Sequence, residues 1–278
     1  MQLLDLNQAM YSTFFVSIGK HTNIAIEEPL IRHMVLNMIR ALNVKFRNEY
    51  GELIIASDSR TYWRKEYFPY YKAARKKARE KSDLDWTSVF ECMNRIKSEL
   101  QEYFPYKYIE VSGAEADDVI GTICNSIDDE KILIISGDKD YRQLHRSKIK
   151  QYDPVNSKFL YEENPEEYLR THIMKGDVGD GIPNIASADN CFVINERQRR
   201  VTKKLIDQFE EIRNDEYHKY YRNFIRNKTL IDLKEVPDNI QNEILDKLEI
   251  LNTKDKSQLI NYFSTHKLKK LVECINDF

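Results

Sequence analysis

Short apolar runs and helix-spaced apolar residues alternate along the first half of the chain. "LLDL" at 3 to 6, "LIIASD" at 53 to 58 and "KILIISGDKD" at 131 to 140 read as strands buried on both faces, and another lies near Tyr108 to Val111. Apolar residues at 30, 31, 34, 35, 38, 39 and 42 predict a helix from Pro29 to Tyr50, stopped by Gly51. A further helix is predicted from about Trp86 to Tyr103. Val119, Ile120, Ile123, Cys124 and Ile127 give one more, headed by "GAEADDVIG" at 113 to 121. Alternation over about the first 150 residues predicts an α/β fold whose mainly parallel central sheet carries helices on both faces.

Beyond Met174 the pattern changes. "GDVGDGIPN" at 176 to 184 is a loop by its glycines and proline, and the rest reads helical near 196 to 211, 215 to 227, 238 to 249 and 255 to 276. The expected organisation is an α/β domain over 1–180 followed by an all-helical subdomain over 181–278. No internal repeat or low-complexity segment is evident.

At 278 residues, with 32% charged and 41% hydrophobic positions, the composition is that of a globular protein with a real core. No apolar run is long enough to span a bilayer and no leader pattern opens the chain, so a cytoplasmic protein without a membrane partner is expected. Cys92, Cys124, Cys191 and Cys274 show no C-x-x-C spacing, which suggests neither a disulfide framework nor a zinc site. The net charge of -2 conceals a strongly basic stretch from Arg60 to Lys81, opposed only by Glu66 and Glu80.

The acids stand at special positions. In an open parallel sheet ligands bind at the carboxyl ends of strands, and Asp5, Asp58, Asp138 and Asp140 fall at such ends. Any one of them alone reads as a helix N-cap, and Ser112 with Glu115 reads as a capping box. Capping uses one or two acids, whereas Glu115, Asp117 and Asp118 crowd a single turn, and Asp177 and Asp180 add to the set. Carboxylates packed together raise one another's pKa, a conflict that divalent cations remove. Oxygen ligands without a nearby cysteine or histidine select Mg²⁺ or Mn²⁺ over Zn²⁺. Sites of this kind usually hold two ions roughly 3.5–4 Å apart, which activate water and stabilise the leaving oxygen of a phosphodiester.

The basic stretch interleaves Tyr62, Trp63, Tyr67, Phe68, Tyr70 and Tyr71 with its cations. A solvated helix face would account for a lone charge run. Directly after Asp58, however, cations for phosphates and aromatic faces for bases suit single-stranded nucleic acid. Lys72 and Arg75 are one turn apart and would face one phosphate if the segment is helical.

"LLDL", "ASDSRTYWRKEYFPYYKAAR", "GAEADDVIG", "ISGDKDYRQL" and "KGDVGDGIPN" occur in the order and at roughly the spacing of the flap endonuclease and 5'-nuclease family, which the chain resembles over essentially its whole length. The "YWR" run and the "INDF" end resemble its T-even bacteriophage ribonuclease H branch. The resemblance implies a PIN-like 5'-nuclease: a Mg²⁺-dependent 5' to 3' exonuclease and flap endonuclease that acts on RNA/DNA hybrids and on 5'-flapped or nicked DNA. Its implied role is removal of RNA primers from lagging-strand fragments in the cytoplasm of an infected bacterium. Two ions are implied, with Mn²⁺ able to substitute, and a replication single-strand-binding protein or clamp is an implied partner.

By position, Asp5, Asp58, Glu115, Asp117 and Asp138 resemble the family's first metal site, with Asp118 close by; Asp140, Asp177 and Asp180 resemble the second. Residues 60–90 resemble the helical arch that passes a 5' single strand. In it Arg60, Arg64, Lys65, Tyr70 and Lys76 are candidate nucleic-acid contacts, and Lys72 and Arg75 the phosphate-directed cations that act in catalysis with Asp138. The chain departs from the family where Gly181 replaces an Asn and "NIASADNCFVINERQRR" lacks a glycine-rich hairpin, which leaves Arg197, Arg199, Arg200, Lys203 and Lys204 as candidate duplex contacts. Only four residues precede Asp5, so the first strand has little support on that side.

Two other readings share some of these features. Another PIN-like metal-dependent nuclease would have the carboxylates but normally neither the arch nor the helical C-terminal part. A non-catalytic DNA-junction-binding protein would have lost motif acids, and none of the matched acids is missing.

Overall fold

The structure is a computed structural model and describes residues 1–19, 27–252 and 254–278. Six strands form one sheet: β1 (Gln2–Asp5), β2 (Leu53–Ala56), β3 (Lys107–Ile109), β4 (Ile132–Ile135), β5 (Ile149–Asp153) and β6 (Lys158–Leu160). Their order is β3-β2-β1-β4-β5-β6; all neighbours run parallel except β6, which is antiparallel to β5. The α/β class and the mainly parallel sheet expected from the sequence are therefore present. Asp5 of β1 pairs with Ala56 of β2, and Leu4 with Ile135 of β4, so the three chains leave the sheet at one edge.

Before β4 come α1 (Leu6–Ile18), α2 (Glu28–Tyr50), α3 (Trp63–Tyr67), α4 (Ala73–Glu80), α5 (Trp86–Tyr103) and α6 (Ala116–Ser126). A 3₁₀ turn over Lys139–Leu144 follows β4. The remaining helices are α7 (Pro165–Lys175), α8 (Lys203–Ile206), α9 (Phe209–Asn214), α10 (Tyr221–Ile231), α11 (Asp238–Glu249), α12 (Leu259–Thr265) and α13 (Lys269–Val272).

Several elements differ from the sequence pattern. The first strand ends one residue earlier than expected, because Asp5 already caps α1 by accepting from the Gln8 amide at 3.0 Å. The Arg60–Lys81 stretch contains two short helices, and Lys72 sits between them in the left-handed region at φ 55°, outside either helix. The helix expected from 196 begins only at Lys203, that expected from 215 at Tyr221, and that at 255–276 is broken where Lys267 turns left-handed. The capping box at the head of α6 joins Glu115 to Asp118, whose Oδ2 accepts the Glu115 amide at 2.9 Å; it does not use Ser112.

Apolar side chains form cores on both sheet faces. Leu4, Phe14, Val35, Leu36 and Ile96 pack with Phe263, Leu271 and Phe278 on one face. Leu3, Ile54, Val119, Ile123 and Ile134 pack with Val236, Ile240 and Ile244 on the other. A third cluster joins Phe68 and Tyr71 to Met174, Ile182, Ile212 and Phe224, seating the basic stretch on α7, α9 and α10. The helices after 181 thus contribute to all three cores.

Candidate functional site

The shared sheet edge determines which acids meet. Asp5 leaves β1, Asp58 follows β2 by two residues, and Asp138 and Asp140 follow β4. Helix α6 points its first turn at the same edge because Asp58 Oδ1 accepts the Ala116 amide at 2.8 Å. The 177–182 turn is closed by reciprocal backbone hydrogen bonds between Asp177 and Ile182, and it brings Asp177 and Asp180 to the opposite wall. The result is a cleft of about 510 Å³ lined by Asp5, Asp58, Glu115, Asp117, Asp138, Asp140, Asp177 and Asp180, with Lys72 and Arg75 at its side.

The crowding of carboxylates is visible in their electrostatics. Burial and then the Asp58 charge push Asp5 up to about 7, and burial and then Asp138 push Asp140 up to about 7. Asp117 is raised well above the carboxylate range by burial and by Asp138 and Asp5. Glu115 goes the other way: burial would raise it, but Lys72 and Arg64 outweigh that and hold it low. Its Oε1 lies 2.5 Å from Lys72 Nζ, while Oε2 receives Tyr71 at 2.8 Å and Arg64 at 3.2 Å.

Lys72 and Arg75 converge even though Lys72 is not helical. Asp180 lies 3.6 Å from Lys72 Nζ and 2.5 Å from Arg75, and its carbonyl accepts the Lys72 amide at 2.7 Å. The two cations therefore stand side by side across the cleft from the strand-end acids.

Three sequence-based assignments are overturned. Asp118, in the first turn of α6, is fully buried, holds Arg64 at 2.7 Å and Trp63 Nε1 at 3.1 Å, and does not line the cleft. Arg64 is as deeply buried, with Nε donating to the Leu230 carbonyl at 3.0 Å, so it cannot touch a nucleic acid. Trp63, Phe68 and Tyr71 are likewise core residues and offer no stacking face. In contrast, Arg60, Lys65, Lys76, Arg197, Arg199, Arg200, Lys203 and Lys204 are exposed, and Tyr70 is half-buried against Phe68.

The absence of histidine from the expected donor set is also corrected. His172 on α7 is buried, with Nε2 3.1 Å from Asp177 Oδ2 and Nδ1 3.7 Å from Asp140 Oδ1. The one sequence signal for it is its place five residues before Asp177, near the end of the helix that leads into the acidic turn. Asp177 itself is held well below the carboxylate range: burial opposes this, but His172 and Lys139 prevail. Tyr141, missed as well, sets its hydroxyl 2.7 Å from Asp117 and 3.2 Å from Asp5, within hydrogen-bond reach of both acids.

A 5'-3' exonuclease N-terminal resolvase-like domain model matches residues 1–173. The chain belongs to the 5'-3' exonuclease family. A second family model, the C-terminal part of T4 RNase H, matches residues 164–278. The ribonuclease H of Enterobacteria phage T4 is 31% identical over 99% of this chain and 95% of its own length. The flap endonuclease Xni of Shewanella pealeana is 35% identical over 44% of this chain and 48% of its own. The T5 5'-exonuclease, solved with zinc ions, shares the fold at a TM-score of 0.61, with 16% identity over 90% of this chain and 98% of that one. A 5'-nuclease that hydrolyses phosphodiester bonds is thus the enzyme class of this chain.

Proposed function

We propose that the chain is a Mg²⁺-dependent 5' to 3' exonuclease and flap endonuclease that cleaves RNA/DNA hybrids and 5'-flapped or nicked DNA, and so removes RNA primers from lagging-strand fragments. The observation that carries this reading is the meeting of eight carboxylates with Lys72 and Arg75 in one cleft at the carboxyl edge of a parallel sheet. The donor set fits hard divalent cations. Acids that raise one another's pKa in a buried cleft are relieved by positive charge, and Asp140 Oδ1 is buried there without a hydrogen-bond partner among the described residues. Two Mg²⁺ ions, for which Mn²⁺ can substitute, would be held by Asp5, Asp58, Glu115, Asp117 and Asp138 at the first position and by Asp140 and Asp180 at the second, with Asp177 beside it. Such ions supply an activated water and stabilisation of the leaving oxygen.

The chain's own groups do the rest of the work. Lys72 and Arg75 orient the scissile phosphate and offset its developing charge. Asp180 and Glu115 aim those cations, and Tyr141 aims Asp117 and Asp5. Arg60, Lys65, Tyr70 and Lys76 line the path of the 5' single strand. Arg197, Arg199, Arg200, Lys203 and Lys204 bind duplex phosphates in place of a glycine-rich hairpin. A replication single-strand-binding protein or clamp is the expected partner, in the cytoplasm of an infected bacterium.

The deciding experiment uses 5'-labelled flap, nicked and RNA/DNA hybrid substrates, with and without Mg²⁺, for the wild type and Asp138→Asn. Mg²⁺-dependent release of 5' products, abolished in the variant with flap binding retained, is the expected result. Cleavage without a divalent ion, or preference for plain single-stranded RNA, would reject the reading.

A further inference from the structure

His172 is buried against Asp140 and Asp177, two acids of the cleft wall, and its two ring nitrogens meet different surroundings. Nε2 faces Asp177, whose lone pairs are all engaged: Oδ1 accepts the Gly179 amide at 2.7 Å and the Asp180 amide at 3.2 Å, while Oδ2 takes His172 and Lys139 at 3.1 and 2.6 Å. A neutral imidazole that donates from Nε2 to Asp177 presents a lone pair at Nδ1. Among the described residues Nδ1 is buried and without a hydrogen-bond partner, as is Asp140 Oδ1 opposite it. The 3.7 Å between them is too long for a hydrogen bond. It is a span that two ligands, each about 2.1 Å from one ion, can bridge. A cation between them would satisfy both atoms at once.

We infer that His172 Nδ1 and Asp140 Oδ1 are ligands of one ion at the second position, and that Asp177 acts behind the histidine as the carboxylate that fixes its tautomer and ring. This assigns Asp177 an orienting role in place of the ligand role its motif suggests. A carboxylate behind a ligating imidazole is a common outer arrangement at metal sites. The consequence is an asymmetric centre: the second position offers one nitrogen donor, whereas the first offers oxygen alone. The inference rests on the cleft being a divalent-metal centre, and the test separates the two.

The experiment is Mn²⁺ binding to the full chain, in a buffer without nitrogen ligands, followed by equilibrium titration and pulsed electron paramagnetic resonance. We expect two Mn²⁺ ions, one of which shows the nuclear modulation of a directly bound imidazole nitrogen. His172→Gln should remove that modulation and weaken the corresponding ion by about tenfold or more. It should leave the other ion unchanged. Two bound Mn²⁺ ions without nitrogen modulation in the wild type would overturn the inference and leave the metal centre standing. Absence of Mn²⁺ binding would overturn both. Because the modulation is read in the wild type, the result does not depend on the variant folding.

Discussion

The guanidinium of Arg64 meets the carboxylate of Asp118 at 2.7 Å with both side chains out of solvent, and this pair ties the basic stretch to α6 from beneath the cleft. Removing one partner of such a pair strands a buried charge, at a cost of about 3–5 kcal/mol. Arg64→Ala should therefore lower the unfolding free energy by that amount in urea titrations. Arg60→Ala, on an exposed neighbour, should change it by no more than about 0.5 kcal/mol. Unchanged stability with weakened flap binding for Arg64→Ala would show that its side chain reaches the substrate after all.

The repulsion among the acids predicts that the cleft destabilises the ion-free protein. Asp5 and Asp140 have folded values raised to about 7 from an ordinary 3.8. A carboxyl raised in this way stabilises the fold fully below its unfolded value and loses that contribution as pH rises toward the folded one. In chelator, the contribution of these two acids should fall between about pH 4 and pH 7, and Mg²⁺ should restore stability at pH 7.5. Asp117→Asn removes the carboxyl whose charged form burial and its neighbours Asp138 and Asp5 disfavour, so the variant should melt higher than the wild type in chelator at pH 7.5. It should also gain less from Mg²⁺ and cleave poorly. A variant that melts lower in chelator would contradict this account.

How much of this was legible in sequence depends on how each residue reaches the cleft. Asp5, Asp58 and Asp138 were readable because parallel strands end at a common edge, so three apolar runs each followed by an acid imply a meeting point. Asp117 and Asp118 could not be told apart. Adjacent residues on a helix point about 100° apart, and only packing decides that one faces the cleft and the other Trp63. The β5 strand escaped because "IKQYD" lacks an apolar run: Gln151 is buried through hydrogen bonds to the Ser136 and Asp138 carbonyls, not through hydrophobicity. His172 escaped because its place five residues before Asp177 does not by itself reveal that α7 packs beside the 3₁₀ turn carrying Asp140.

Gly176 limits how the second acidic turn is built. It sits at φ +66°, and a Cβ there would lie 2.3 Å from the Ile182 carbonyl oxygen and 2.6 Å from Pro183. Both neighbours are backbone and cannot move aside cheaply. Gly176→Ala should open the turn that presents Asp177 and Asp180, cost about 1–3 kcal/mol and reduce cleavage. Gly51→Ala makes the control, since it shares a positive φ of +77° but has nothing among the described residues within 4 Å of the added carbon. Equal loss of activity in the two variants would place the effect in general destabilisation and not in the turn.

Lys72 and Lys76 are cations four residues apart in the basic stretch, yet the fold gives them different tasks. The Lys72 ammonium is drawn into the cleft between Glu115 and Asp180, whereas Lys76 is exposed, with no acid paired to it among the described residues. If Lys72 stabilises the charge that develops on the scissile phosphate, Lys72→Ala should slow single-turnover cleavage by about 10² or more, with little change in flap affinity. Its backbone amide still bonds the Asp180 carbonyl, so truncating the side chain should leave the local chain path intact. Lys76→Ala should instead weaken flap binding and flatten its salt dependence by roughly one ion's worth, with the rate on bound substrate unchanged. Single-turnover rates and flap affinities across a salt series, measured for both variants, distinguish the two: a purely affinity-based defect at Lys72 would remove it from the chemistry and leave it as one more cation along the path of the strand.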